Sequence, residues 1–250
     1  MERAEPRFYR ETMGKERFTS FVVSYKDSDL WIGIDKKSYR DKMASFALNK
    51  LIELRHTLET HITKHPKFAS SFSPLPNETN APVFIQQMYS AAQIAHTGPM
   101  AAVAGIFSEC MGKAIQKEFD IQEIAIENGG DIYLSLINNL VLSVYAGKSP
   151  LSGKIALEIN AAETPLGICT SAGTVGPSIS FGKADAVMVT CHDTALADAL
   201  ATAIGNRVKS ANDIETQLAI IETQPEILSL LIIADGKIGL KGKFELRMVK

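Results

Sequence analysis

Apolar and polar positions change period along this chain, and the changes divide it into elements. Phe18 to Tyr25 and Asp29 to Ile34 are β-rich runs around the polar Lys26-Asp27-Ser28, a pattern that predicts a hairpin. Met43, Ala47, Leu51, Leu54, Leu58 and Ile62 then recur every three or four residues, placing an apolar stripe on one face of a helix that stops before Pro66. Ser70 to Pro82 reads as a loop. Two further helices are expected over Val83–Ala95 and Met100–Phe119, the second rich in Ala and Gly, so that another backbone or a ligand can approach it closely.

From Ile121 the pattern shortens to strands: Glu123–Glu127, Asp131–Leu136, Leu140–Tyr145, Lys154–Ile159, Gly167–Thr170 and Ala186–Thr190. Asn128-Gly129-Gly130 and Asn138-Asn139 supply turn residues between them. Helices follow over about Thr194–Val208 and Ile214–Glu222. Ile227–Ala234 and Gly242–Val249 are expected to close the chain as a hairpin around Asp235-Gly236. Mixed helices and short strands, with no Pro/Ser/Gly-rich linker, predict one α+β domain over residues 1–250.

Composition narrows the functional classes. With 46% apolar residues, 22% charged residues and a net charge of −2, the chain has no basic footprint for nucleic acid or an anionic membrane. The longest apolar run, Ile227 to Ala234, is too short to span a bilayer, and the charged N-terminus lacks a signal-peptide core. Three distant cysteines, Cys110, Cys169 and Cys191, fit reduced thiols in a cytoplasmic protein. A small-molecule ligand is the expected partner, and a homo-oligomer is left open.

The segment from Asp185 to Asn206 carries the strongest chemical signal. Asp198 and Thr202 are four apart on an expected helix, so a carboxylate and a hydroxyl share one face, and hard cations such as Mg²⁺ take oxygen ligands of that kind. The ordinary alternative is a solvated face or a local hydrogen bond. Ala197, Ala199, Leu200, Ala201, Ala203 and Ile204 surround the pair, which argues for burial or a cleft. Glu127-Asn128-Gly129-Gly130-Asp131 is either an ordinary hairpin turn or one whose paired glycines let backbone amides meet an anionic or flat ligand. Cys169-Thr170-Ser171-Ala172-Gly173-Thr174 is a ligand contact or a polar strand end. His61 and His65 have metal-ligand spacing, but their apolar neighbours make a solvated helix edge the simpler reading. Cys191-His192-Asp193 cannot converge as a triad in extended chain. His96, before the small-residue helix, is a loop histidine or a helix cap.

Taken in order, the Ala/Gly-rich helix, the Asn-Gly-Gly-Asp turn, Thr170-Ser171-Ala172-Gly173 and Ala197-Asp198-Ala199-Leu200-Ala201-Thr202 resemble the ApbE family of magnesium-dependent flavin transferases over roughly 98–206. The resemblance implies a T-fold-like arrangement of helices and antiparallel sheet. It also implies Mg²⁺ on Asp198 and Thr202 with the carbonyl of Ala101, and a flavin such as FAD against Asn128, Gly129, Gly130, Asp131, Thr170, Ser171, Gly173 and Thr174. The family's "H-x-x-D-P-R-T-G" segment is missing here. Its interval reads Thr174-Val175-Gly176-Pro177-Ser178-Ile179-Ser180-Phe181-Gly182-Lys183. The Lys of the family's "G-x-A-K-G" stretch is also absent, since Ala102-Val103-Ala104-Gly105 stands in its place. The chain therefore looks like a shorter ApbE-like branch found mainly in archaea and anaerobic bacteria. Binding of a flavin or other phosphorylated molecule with a divalent cation is expected, no catalytic residue is assigned, and flavin transfer lacks its base. The other function considered is a non-catalytic accessory role in anaerobic sulfur assimilation and homocysteine formation, with Cys169 handling sulfur.

Overall fold

The computed structural model describes residues 10, 13–14, 16–173 and 182–249. Strands β1 (Phe18–Tyr25) and β2 (Ser28–Asp35) form the expected hairpin, closed by the Tyr25–Ser28 pair. Helix α1 (Lys42–Lys64) buries Met43, Ala47, Leu51, Leu54 and Leu58, and the stripe then passes to His61 rather than Ile62. The solvated-edge reading of His61 is therefore wrong: its Nε2 lies 3.0 Å from the Tyr89 hydroxyl, and its ring stacks on His65 and meets Phe68 edge-on. The Tyr89 hydroxyl gives the buried ring one polar partner, and its aromatic neighbours cover its faces.

Short α2 (Lys67–Ser70) and α3 (Val83–Ala95) follow, and a 3₁₀ turn over Pro99–Ala102 leads into α4 (Val103–Glu118). The strands are β3 (Ile124–Asn128), β4 (Asp131–Ser135), β5 (Leu140–Ser143), β6 (Ile155–Ile159), β7 (Leu166–Ser171) and β8 (Ala186–Cys191). Helix α5 (Thr194–Arg207), α6 (Ile214–Leu218), β9 (Ser229–Ala234), β10 (Lys237–Gly242) and β11 (Glu245–Met248) complete the chain.

Among the described residues, the strands form an eight-stranded antiparallel sheet, ordered β1-β2-β3-β4-β7-β8-β9-β10, and a three-stranded sheet, β11-β6-β5. The closing hairpin differs from expectation. Asp235 and Gly236 have φ of 50° and 71°, so a two-residue turn returns the chain at once as β10, and the 245–248 segment crosses to pair with β6.

Alternation along the large sheet separates two cores. Ile124, Ile126, Tyr133, Cys169, Val187, Val189, Leu230 and Ile232 face the helices, while Ala125, Ile132, Leu134, Ile168, Met188, Leu231 and Ile233 face the smaller sheet. A strand buried on both faces reads as a continuous apolar run, as Leu230–Ile233 does. Each Val, Leu, Ile or Met side chain so removed from water stabilises the fold by roughly 1.5–3 kcal/mol. The layers are thus helices, large sheet and small sheet. No helix among the described residues is long and apolar enough to cross a membrane.

Candidate functional site

Helix α5 lies directly on β7 because two glycines leave room for it. A Cβ on Gly167 would stand 2.5 Å from the Cα of Thr194, and one on Gly205 would stand 3.0 Å from the Ser171 hydroxyl. The helix thus runs along the strand, its start over Gly167 and its end over Ser171. Four residues of helix rise about 6 Å and two of strand about 6.7 Å, so Asp198 falls over Cys169. The β4–β7 register pairs Ile132 with Ile168 and Tyr133 with Gly167, which sets Asp131 opposite Cys169 on the same face. A turn of chain and a helix therefore bring two carboxylates together above one thiol.

Helix α4 meets α5 just as closely. A Cβ on Gly105 would stand 2.4 Å from the Thr194 carbonyl oxygen and 2.8 Å from the Asp198 Cβ. The small residue serves the approach of another backbone, one of the two uses expected of it. The helices cap one another. The α4 N-terminus has no side-chain cap of its own, and Gly105 N–H donates to Asp198 Oδ2 at 2.8 Å, with a further bond from the Ala104 amide. One turn along each helix, Thr194 N–H donates to Glu109 Oε2 at 2.8 Å. The other oxygen of Glu109 accepts from Lys113 Nζ at 2.5 Å.

The Asn128–Asp131 segment is a hairpin turn, with Gly129 and Gly130 at φ of 70° and 104°, a region open to glycine at little cost. It is fastened to α4: Asn128 Nδ2 donates to the Ala104 carbonyl at 3.2 Å and Ser108 Oγ to the Asp131 carbonyl at 2.9 Å. From behind, buried Glu127 accepts from Gly130 N–H at 2.8 Å and from Arg10 Nε at 2.5 Å.

The electrostatics follow from burial. Burial raises the Asp131 carboxyl well above its usual range and the Asp198 carboxylate adds to the shift, while the Cys169 thiol and Thr170 amide that donate to it act the other way. Burial likewise lifts Asp198 to about 7, opposed by the Gly105 and Ala104 amides. Asp131 Oδ1 is buried without a hydrogen-bond partner. The Cys169 thiol is pushed up by burial and by Asp131, and its Sγ lies 3.5 Å from the Thr194 carbonyl, so it is a packed donor rather than a thiolate.

The expected site residues fall into three groups. Asp131 and Asp198 come together in the buried centre, and Ser171 faces α5 nearby. Thr202, partly exposed, lies one turn beyond Asp198, while Ala101 is partly buried in the 3₁₀ turn that packs on α5. Asn128, Gly129 and Gly130 form the partly exposed rim, and Thr170 stands beside Gly130. Gly173 N–H donates to the Ala184 carbonyl at 2.9 Å, and Thr174 lies outside the described residues. His96 is the left-handed C-cap of α3 and is exposed. Cys191, His192 and Asp193 separate as expected: Cys191 is buried, His192 faces the Pro165 carbonyl, and Asp193 caps α5 through Leu196 N–H. Among the described residues, no group of three His, Cys, Asp or Glu side chains is arranged to hold a metal. A cavity of about 500 Å³ lies elsewhere, lined in part by His61, Lys64, His65 and Glu78. Sequence reasoning passed over Glu109, Gly167 and Ser108, whose roles depend on partners distant in sequence.

The layered sheet and crossed helix pair define a class with solved members. The fold matches "flavinyl transferase ApbE" of Pseudomonas stutzeri, TM-score 0.55 and 12% identity, covering 90% of this chain and 94% of that one. It also matches the ApbE protein of Thermotoga maritima, TM-score 0.53 and 13% identity, over 92% and 96%. At these identities the likeness is one of fold. The family model described as "AbpE bacteria" matches residues 10–226, and the chain belongs to that family. The ApbE-like resemblance in the motifs is thereby borne out. Relatives include a UPF0280 protein of Methanococcus aeolicus, 40% identical over 77% of this chain and 78% of its own, and one of Methanocaldococcus jannaschii, 35% identical over 88% and 89%.

Proposed function

We propose that the protein binds a flavin such as FAD, or another phosphorylated small molecule, together with a divalent cation where the 128–131 turn meets α5. The observation that carries this reading is the burial of Asp131 and Asp198 side by side. Among the described residues, no Lys or Arg forms an ion pair with either, and one carboxylate oxygen has no partner. Two buried carboxylates are stable together only with a proton or a cation between them. A hard cation suits oxygen donors, which here would be the Asp198 carboxylate, the Thr202 hydroxyl and the Ala101 carbonyl. Such an ion would neutralise phosphate charge on a bound ligand.

The chain's own residues would orient that ligand: Gly129 and Gly130 offer backbone without side chains, and Ser171 offers a hydroxyl along α5. Flavin transferases among the proteins that share the fold favour a flavin as that ligand. Residues 174–183 contain no histidine, so binding is proposed without an assigned proton carrier. Equilibrium dialysis of the purified protein against FAD tests it. Retention that needs Mg²⁺, falls with EDTA and is lost in Asp198→Asn is expected; equal retention by wild type and Asp198→Asn refutes the cation's part.

A further inference from the structure

The ligand-binding turn carries one residue that fits the flavin poorly. Along β4, Tyr133 faces the helices and Ile132 and Leu134 face the small sheet, so Asp131 points inward under α4 and α5 rather than out to the rim with Gly129. It is 8% exposed, as is Asp198. The Thr170 amide and the Cys169 thiol donate to the Asp131 carboxylate, and its Oδ1 has no donor at all. Two bases on neighbouring elements have other partners: Lys113 is on Glu109, and Arg10 is on Glu127 and Asp29. A carboxylate oxygen without a donor, beside a second carboxylate and, among the described residues, in no ion pair with Lys or Arg, is complete when it ligates a hard cation.

Resting on the cation reading above, we infer that Asp131 is a cation ligand, and that one divalent ion joins the turn through Asp131 to helix α5 through Asp198. The ion would then tie together the two walls of the site, the hairpin that meets the small molecule and the helix that meets its phosphates. Cation and small molecule would each raise the affinity for the other, since both favour the same placement of the 128–131 turn.

The test measures Mn²⁺ binding to the full chain by electron paramagnetic resonance, with and without FAD, in wild type, Asp131→Asn, Asp198→Asn and Thr202→Ala. Asp131→Asn keeps the shape of the side chain. It should weaken Mn²⁺ binding by roughly ten-fold or more. It should also raise the melting temperature of the metal-free protein while abolishing the further rise that Mn²⁺ gives the wild type, a pair of changes that a purely structural residue would not produce. If Asp131→Asn binds Mn²⁺ as tightly as the wild type while Asp198→Asn does not, the inference fails and the proposed function stands. If both variants bind as the wild type does, or the wild type binds no Mn²⁺ even with FAD, both fail. Should Asp131→Asn misfold by circular dichroism, Asp131→Ser takes its place with the same two outcomes.

Discussion

Gly105→Ala is the sharpest probe of how the two helices are held. The added methyl would stand 2.4 Å from a backbone oxygen of α5 and 2.8 Å from Asp198 Cβ, and neither atom belongs to the free end of a side chain. Relief requires α4 and α5 to separate, which stretches both reciprocal caps, Gly105 to Asp198 and Thr194 to Glu109. Overpacking of this kind costs about 1–3 kcal/mol, and a weakened hydrogen bond to a buried carboxylate adds about 1.5–3. Against this, alanine is favoured over glycine inside a helix by about 1 kcal/mol. A net loss of roughly 1.5–5 kcal/mol is expected, with a melting temperature lower by something on the order of 10 °C in a chain of this size. Urea unfolding followed by circular dichroism gives the difference directly. Stability within about 0.5 kcal/mol of the wild type would mean that the close crossing does not constrain the helices, and the account of the caps would be wrong.

Two other outcomes follow from single side chains. Burial works against the Glu123 carboxylate, but Arg17 and the Ile137 and Asn138 amides, at 2.9 and 3.0 Å, prevail and hold it below its usual range. A lowered acid stabilises the fold at pH values above its unfolded pKa and stops doing so as the pH falls through its folded one. Glu123→Gln should therefore cost about 1–3 kcal/mol near neutral pH and progressively less below about pH 4; a penalty independent of pH in urea titrations would contradict the assignment. Thr194 is fully buried with its hydroxyl unpaired, so Thr194→Val should be neutral within about 0.5 kcal/mol or stabilising, and a loss above about 1 kcal/mol in the same titrations would reveal a partner.

What could be read from the sequence was local. The Met43-to-Leu58 stripe, the Asn-Gly-Gly turn and the small-residue stretch at Ala102–Gly105 announce their own geometry, because period, turn chemistry and missing side chains are properties of a few neighbouring residues. Asp198 stood out for the same reason, a charge among alanines. Pairings between distant segments were hidden. Nothing in Glu245–Met248 says that it leaves β10 for β6, since an alternating strand fits either neighbour. Glu109 looks like any helical glutamate until Thr194 arrives, 85 residues later, and His61 seemed solvated because Tyr89 and Phe68 are supplied by other elements.

The glycines at 105 and 167 make the position of Asp198 a matter of clearance. The carboxylate is where it is because two atoms are missing, one beside it and one beneath the start of its helix. Its reach toward Asp131 is therefore set by steric room, and chemistry and placement can be lost separately. A chain that kept Asp198 but carried a larger residue at either glycine would still own the carboxylate and would no longer hold it at the same depth.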